Sequence, residues 1–177
     1  MMDRKKFTLP FSDEEILSLN SGDLILISGE ILIARDAAHK RMVETLKEGG
    51  ELSFNIKGEA VYYAGPTPEK EGQVIGSCGP TTSGRMDKYS PYLMERGLKV
   101  MIGKGERSDG VIEKIKELGG VYLGAIGGAG ALISKCITEA KIVAYEDLGA
   151  EAVRRVKVEE LPLTVVIDSK GNNLYKR

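Results

Sequence analysis

A cluster of hydroxyl and basic side chains occupies the segment GPTTSGRMD, residues 79–87. Thr81, Thr82 and Ser83 supply three hydroxyl groups, and Arg85 supplies a guanidinium shortly after them. Glycines let a backbone approach a ligand closely, and free N–H groups in such a turn can hold an oxyanion. A guanidinium can bind a carboxylate through two parallel hydrogen bonds. The segment therefore predicts a site for a small anion, although a loop whose arginine pairs with a structural carboxylate explains the same residues.

Other charged residues follow apolar runs elsewhere in the chain. Arg35 and Asp36 come directly after DLILISGEILIA, and Lys104 lies between two glycines after the apolar run VMI. Because α/β proteins bind ligands at the carboxyl ends of their strands, these residues are candidates for the same site. The alternatives are a helix cap at Asp36 beside a solvated Arg35, and a solvated turn lysine at position 104. His39, one turn beyond Asp36, is a candidate for either a structural role or a role in the site.

A glycine-rich segment, AIGGAGA at 125–131, also follows an apolar run. Its spacing differs from the G-x-G-x-x-G of dinucleotide-binding turns, and no Walker-type lysine spacing occurs. We interpret the segment as close backbone packing or as one wall of a pocket. A fragment of a nucleotide-binding oxidoreductase is an alternative hypothesis that rests on this segment alone.

Length and charge narrow the classes of protein. The chain has 177 residues, which suits one domain, and its formal net charge is -1. This balance argues against bulk electrostatic binding to nucleic acid or to an anionic membrane. No run approaches the ~20 apolar residues of a membrane span. The N-terminal segment has no apolar core, which predicts that no signal peptide is present.

The cysteine content limits the metal chemistry of the chain. Cys78 and Cys136 are the only cysteines, and they form no disulfide pattern, so we expect a cytoplasmic protein. Two cysteines and one histidine are too few for most zinc sites, and a cubane iron–sulfur cluster needs at least three thiolates. We therefore predict no metal ligands in this chain.

Hydrophobic patterning predicts the elements that position these residues. Strands are predicted at 23–34 (one bent strand or two short ones), 52–56, 60–64, 74–77, 98–102, 121–125, 141–145 and 163–168. Helices are predicted at 35–46, 89–96, 108–118 and 130–136, with Ser108 or Asp109 as the N-cap of the third. The alternation in the second half predicts an α/β fold, a single domain over 1–177 with a mainly parallel sheet flanked by helices.

Taken together, the strand-end segments resemble the β subunit of class I, iron–sulfur-dependent fumarate hydratase and its L(+)-tartrate dehydratase relatives. The resemblance is carried by GDLILISGEILIARDAAHKR, GPTTSGRMDKYSP, IGKGE, YLGAIGGAGAL and AYEDLGAEAVRRVKVEELP, in the family order from Gly22 to Pro162. It implies a swivelling β/β/α domain and a hydro-lyase reaction. Water is added reversibly to fumarate to give (S)-malate, or removed from tartrate to give oxaloacetate. A non-enzymatic module that binds a dicarboxylate is the alternative from another class.

The resemblance implies that Arg35 and Arg85 bind the substrate, and that Lys104 contacts it and takes part in catalysis. Removing a proton next to a carboxylate builds an aci-carboxylate dianion, which concentrated positive charge stabilises. Two arginines and a lysine around a dicarboxylate would supply that charge and hold the reacting carbons in place.

The resemblance also implies roles for neighbouring side chains. Thr81 corresponds to a threonine with a suggested part in proton transfer, and Thr82 is the alternative for this hydroxyl. A threonine hydroxyl is too weakly acidic to act alone, and the resemblance places the base it needs on a partner subunit. Asp36 and His39 belong to the matching element and are assigned supporting roles.

A partner subunit is the last implication of the resemblance. In such enzymes an α subunit, or a fused N-terminal domain, carries a [4Fe–4S] cluster on three cysteines, and one iron binds the substrate. That iron supplies the Lewis acid that a leaving hydroxide needs. We therefore expect a heteromer, such as α2β2, whose active site lies between two chains.

Overall fold

The computed structural model describes residues 3–125 and 130–176. Its strands are β1 Lys5–Thr8, β2 Leu24–Ile33, β3 Ala60–Tyr62, β4 Val100–Gly103, β5 Val121–Gly124, β6 Ile137–Ala144 and β7 Val153–Ile167. Its α-helices are α1 Asp13–Ser18, α2 Asp36–Lys47, α3 Ser90–Met94, α4 Asp109–Leu118 and α5 Gly130–Lys135. Short 3₁₀ helices cover Ser83–Met86, Glu146–Glu151 and Leu174–Lys176.

These strands form one seven-stranded sheet in the order β1-β2-β3-β4-β5-β7-β6. Each pair from β1–β2 through β4–β5 is parallel. In contrast, β7 runs antiparallel to β2, β5 and β6. Because β7 pairs with both β2 and β5, the strands β2 to β5 and β7 close into a ring. The predicted α/β class with flanking helices is confirmed. The predicted mainly parallel sheet is confirmed in part: β1 to β5 are parallel, but the sheet is mixed because β7 pairs antiparallel with three other strands.

Two apolar clusters lie on the two faces of the sheet, because alternate residues of a strand point to opposite sides. One cluster draws on all five strands of the ring and includes Ile25 and Ile27 of β2. The other packs the opposite face against the helices, through Met42 of α2, Leu93 of α3 and Ile115 of α4. The helices that begin near the candidate site are thus anchored on the sheet by burial of apolar surface.

Helix α4 begins where the sequence predicts. Ser108 is its N-cap, and the Ser108 side chain accepts a hydrogen bond from the N–H of Val111. The helix ends at Gly119, whose φ of 74° lies in the left-handed region that favours glycine. None of the helices in the described parts of the chain is long and apolar enough to cross a membrane.

The predicted strands at 52–56 and 74–77 are absent. Ile56 and Ile75 are nevertheless buried, at 7% and 6% exposure, so their apolar pattern reflects loops that pack against the core. The segment 23–34 is one strand with an irregularity beside Gly29. Hydrophobic patterning predicts neither β1, whose residues are mostly exposed, nor the full length of β7, where charged residues interrupt the pattern.

Candidate active site

The candidate residues lie at the edge of the sheet where β2, β3 and β4 end. Arg35 and Asp36 follow β2, and Lys104 follows β4. The pairing of Ile33 with Tyr62, and of Tyr62 with Ile102, places the ends of the three strands side by side. The predicted convergence of strand-end residues at one edge therefore agrees with the geometry.

Backbone hydrogen bonds hold the hydroxyl-rich loop on this edge. The N–H of Thr81 donates to the carbonyl of Tyr63 at 2.7 Å, and the N–H of Ser83 donates to the carbonyl of Lys104 at 2.9 Å. Thr82 and Lys104 also form a parallel bridge. The strand predicted before this loop is absent, so the loop reaches the edge through these bonds and not as a turn from strand to helix.

Ser83 anchors the hydroxyl-rich loop in the protein interior, and its side chain packs against Gly103, where no larger residue would fit. Ser83 is fully buried, and its Oγ lies 2.7 Å from the hydroxyl oxygen of Tyr122. A Cβ on Gly103 would collide with Ser83 Oγ and would lie 2.9 Å from the ring of Tyr63. Gly103 therefore serves packing beneath the site, next to the lysine that it precedes.

Arg85 and Asp36 form a bidentate ion pair between the 3₁₀ helix Ser83–Met86 and the start of α2. Arg85 Nε donates to Asp36 Oδ1 at 2.9 Å, and Nη2 donates to Oδ2. Partial burial acts to raise the pKa of Asp36, but the hydrogen bond and charge of Arg85, together with the charge of Arg35, outweigh burial and leave the pKa below its ordinary value. The Arg85 side chain is 54% exposed, and within the described residues its Nη1 has no hydrogen-bond partner. This arrangement leaves Nη1 of Arg85 available to an anion.

Arg35 is held between Thr81, Glu151 and Gly65. Its Nη1 donates to Thr81 Oγ1 at 3.4 Å, and its Nε lies 3.4 Å from Glu151 Oε1. Glu151 Oε1 also accepts a hydrogen bond of 3.0 Å from the N–H of Ala37, where the helix dipole of α2 favours a carboxylate. A Cβ on Gly65 would lie 2.8 Å from Arg35 Nε, so glycine is needed for this placement.

His39 lies beneath the site and is fully buried. Its Nδ1 lies 2.9 Å from the carbonyl oxygen of Arg35, which can only accept, so Nδ1 carries the hydrogen. The imidazole packs against the rings of Tyr63 and Tyr89, with centroids 5.3 and 6.2 Å apart. Burial lowers the pKa of His39 to about 4, so the ring is neutral at neutral pH. His39 therefore contacts the backbone of Arg35 and does not face a ligand.

The exposed side chains of this edge include the cations Arg85 and Lys104, the hydroxyl of Thr82 and the carboxylate of Glu106. Lys104 and Thr82 are exposed, whereas Thr81 is 8% exposed beside Arg35. Cys78 lies in the core, where burial raises the pKa of its thiol to about 12. Across residues 3–125 and 130–176, no group of three or more His, Cys, Asp or Glu side chains could hold a metal ion. Arg35, Arg85 and Lys104 make this edge a candidate site for an anion.

Much of the glycine run AIGGAGA cannot be compared with its prediction, because residues 126–129 lie outside the described residues. Gly130 accepts a hydrogen bond of 3.2 Å from the N–H of Cys78, and a Cβ on Gly130 would lie 2.8 Å from the backbone nitrogen of Gly79. At Gly130 the interpretation as close backbone packing is therefore supported.

Sequence reasoning missed Glu151, Asp87 and Arg107. Glu151 contacts Ala37 at the start of α2, 114 positions earlier in the sequence, and no local sequence pattern indicates such a long-range contact. Arg107 is only 3% exposed and forms an ion pair with Asp87. The signal that could have revealed this pair is Arg107 itself, the second basic residue of the strand-end segment GKGERS, but its burial is not visible in the sequence.

The chain is an α/β protein that carries the candidate residues Arg35, Arg85 and Lys104 at the carboxyl edge of its parallel strands. The family model described as Fumarase C-terminus matches residues 3–177. The chain therefore belongs to the Fumarase C-terminus family, and the resemblance seen in its motifs is confirmed.

The relatives are fumarate hydratases and a tartrate dehydratase subunit. The chain is 39% identical over 158 residues to fumarate hydratase 2 of Leishmania major, covering 88% of this chain and 28% of that protein. It is 40% identical over 153 residues to the aerobic class I fumarate hydratase of Escherichia coli, covering 85% and 28%. It is 34% identical over 169 residues to the putative L(+)-tartrate dehydratase subunit beta of Methanocaldococcus jannaschii, covering 92% and 87%. The chain thus spans 28% of the length of these two fumarate hydratases and most of the tartrate dehydratase subunit.

Proposed function

We propose that this chain is the β subunit of a class I fumarate hydratase, which adds water reversibly to fumarate to give (S)-malate. The observation that carries the proposal is the grouping of Arg35 and Arg85 around Asp36. The Asp36 carboxylate is hydrogen-bonded to Arg85, and the positive charge of Arg35 helps to lower its pKa. Two cations at one edge suit a ligand with two carboxylates. The fumarate hydratases among the relatives support this choice of substrate.

In this proposal the cationic side chains bind the diacid and stabilise its reacting form. Arg85 offers Nη1, while Arg35 and the exposed Lys104 supply two further positive charges. Proton removal beside a carboxylate concentrates negative charge on that carboxylate, and pre-oriented cations stabilise this state more than the substrate. Because Arg85 and Arg35 are already oriented by Asp36 and Glu151, little reorganisation accompanies binding.

Thr81 is our choice for the hydroxyl that takes part in proton transfer. Its Oγ1 lies 3.4 Å from Arg35 Nη1, which favours any negative charge that develops on this oxygen. Thr82 is exposed and meets Lys104 through its backbone, which favours a ligand-contacting role for it. The base that Thr81 needs would come from a second chain.

We further propose that a cluster-bearing α subunit completes the site, in an assembly such as α2β2. The cysteines of this chain do not fit a [4Fe–4S] cluster, which needs at least three thiolates, and Cys78 is buried as a thiol. The cluster would therefore be held by the partner. The name of the relative that this chain covers to 87% includes "subunit beta", which supports a division between chains. We also propose that the protein is cytoplasmic and that residues 1–177 form a single swivelling β/β/α domain.

A second candidate is the β subunit of an L(+)-tartrate dehydratase. The observation that favours it is the high coverage of the tartrate dehydratase relative. Both substrates are four-carbon dicarboxylates, so the same cations would serve either.

The test is to co-express the chain with a cluster-bearing partner under anaerobic conditions and to measure kcat/KM for fumarate and for L(+)-tartrate. We expect fumarate to be preferred by more than about tenfold, and the isolated chain to be inactive. A preference for tartrate would favour the second candidate. Tight binding of a dicarboxylate by the isolated chain, with no turnover by the complex, would favour a non-enzymatic binding module.

A further inference from the structure

A buried arginine lies beneath the candidate site and joins the segments that carry it. Arg107 is 3% exposed. Its Nε donates to Asp87 Oδ1 at 2.7 Å, and its Nη2 donates to Ser90 Oγ at 3.0 Å and to the hydroxyl of Tyr63 at 3.3 Å. A buried guanidinium is costly unless its donors are satisfied, and here these partners come from two separate segments, 87–90 and Tyr63.

The contact with Asp87 links the segment of Arg85 to the segment of Lys104. Asp87 follows Arg85 by two positions, and Arg107 follows Lys104 by three. Asp87 Oδ2 also accepts a hydrogen bond of 2.7 Å from the N–H of Ser108, so both carboxylate oxygens bind the segment that follows β4. Asp87, whose side chain is 14% exposed, therefore adds a second link between these segments to the hydrogen bond from the Ser83 N–H to the Lys104 carbonyl.

The contact with Tyr63 links Arg107 to the segment of Thr81. The Arg107 guanidinium lies 5.3 Å from the centroid of the Tyr63 ring and 4.8 Å from that of Tyr122. The carbonyl of Tyr63 accepts the 2.7 Å hydrogen bond from the Thr81 N–H, and its ring packs on His39. Arg107 thus contacts Tyr63, which holds Thr81, as well as Asp87 in the segment of Arg85.

We propose that Arg107 is a positioning residue, which fixes Thr81, Arg85 and Lys104 relative to one another for substrate binding. This inference rests on the proposed function of the site. The planar guanidinium donates in several fixed directions at once, which the ammonium of a lysine cannot reproduce. Substituting Arg107 should therefore loosen the site even where the positive charge is kept.

The test compares Arg107→Lys with a matched control, Arg155→Lys, in the full chain and in its complex with the cluster-bearing partner. Arg155 is 19% exposed and lies 3.3 Å from Glu59, away from the candidate site. Amide hydrogen exchange of the full chain reports local opening without requiring activity. The kinetics of the complex separate kcat from KM.

For Arg107→Lys we expect exchange at 81–88 and 103–108 to be faster by about tenfold or more, while the central strands keep wild-type protection. We expect kcat/KM to fall by about tenfold or more, and Arg155→Lys to leave both measurements unchanged. Wild-type exchange in both segments, or a uniform increase over the whole chain, would overturn the proposal.

Asp87→Asn tests the same contact with a variant of nearly identical shape. If Arg107→Lys does not fold, Asp87→Asn should still show faster exchange confined to the two segments. Failure of both variants to fold would overturn the proposal in favour of a purely structural role. If the wild-type complex hydrates neither fumarate nor tartrate, the proposed function fails, and the exchange data still decide whether Arg107 positions these segments.

Discussion

Arg85 and Asp36, which are 49 positions apart, form a two-pronged ion pair at the edge where the parallel strands end. The pair joins the 3₁₀ helix Ser83–Met86 to the first turn of α2 and leaves the Arg85 side chain half exposed. An arginine fixed by one carboxylate while open to solvent is prepared for a second carboxylate. Asp36 therefore orients the guanidinium that we propose binds the ligand, and it is not the cap of α2, whose N-cap residue is Arg35.

Removal of Arg85 should abolish most of the activity of the complex. For Arg85→Ala we expect kcat/KM for fumarate to fall by about 100-fold or more, since a charge contact in the transition state is lost. Because the ion pair is largely exposed, the free energy of unfolding should change by less than about 1 kcal/mol. Arg96→Ala, at another exposed arginine, is the control. Wild-type kinetics in Arg85→Ala would remove this residue from the site.

The Asp36–Arg85 pair should contribute to stability only when Asp36 is ionised. Since the folded-state pKa of Asp36 lies below the ordinary value of 3.8, its contribution is complete above that value and is lost as pH falls through the lower folded pKa. Wild type should exceed Asp36→Asn by up to about 1 kcal/mol at neutral pH, with no difference in strong acid. Urea unfolding at a series of pH values measures this. A difference that stays constant across the series would argue against the ion pair.

Buried His39 should make the protein sensitive to moderate acid. Burial holds its pKa at about 4 in the folded state against an ordinary 6.5, so below pH 6.5 the unfolded chain binds a proton that the folded chain does not. Stability is therefore complete above pH 6.5 and declines towards pH 4. Between these values wild type should lose about 3 kcal/mol more than His39→Asn, measured by chemical unfolding. Equal losses in both proteins would show that His39 titrates normally.

A methyl group at position 65 should displace Arg35 without removing it. The new Cβ would lie 2.8 Å from Arg35 Nε, at the flexible end of that side chain, so the guanidinium rather than the backbone should move. We expect Gly65→Ala to lower kcat/KM by about tenfold to 100-fold, with a change in unfolding free energy below about 1 kcal/mol. The control is Gly110→Ala in α4, where the nearest side-chain atom is 3.9 Å away. Unchanged kinetics in Gly65→Ala would mean that the position of Arg35 does not matter.

The sequence predicts the grouping of the candidate residues better than it predicts the pairing of the strands. Arg35, Asp36 and Lys104 meet at one edge because strand-end residues of neighbouring parallel strands converge. This inference needs only the approximate ends of β2 and β4, which apolar runs mark clearly. The loop with Thr81 and Arg85 follows no strand and is held at this edge by hydrogen bonds to Tyr63 and Lys104.

Elements without a regular apolar pattern cannot be predicted from this sequence. The strand β7 carries Arg154 and Arg155 in the half that pairs with β6, so patterning indicates only its apolar end. Its antiparallel pairing with β2 depends on contacts over more than a hundred residues and leaves no local signal. The same holds for the pairing of Glu151 with Arg35, and for the burial of Arg107.

The most direct test of a shared active site is the turnover of fumarate by this chain and by the cluster-bearing partner, assayed separately and mixed, with the cluster intact on the partner. We predict no turnover by either chain alone, and activity that rises on mixing until the chains are equimolar. The variants Arg35→Ala and Arg85→Ala should bind the partner but restore little activity. Full turnover by the cluster-bearing chain alone would contradict the claim that this chain supplies the cations of a shared active site.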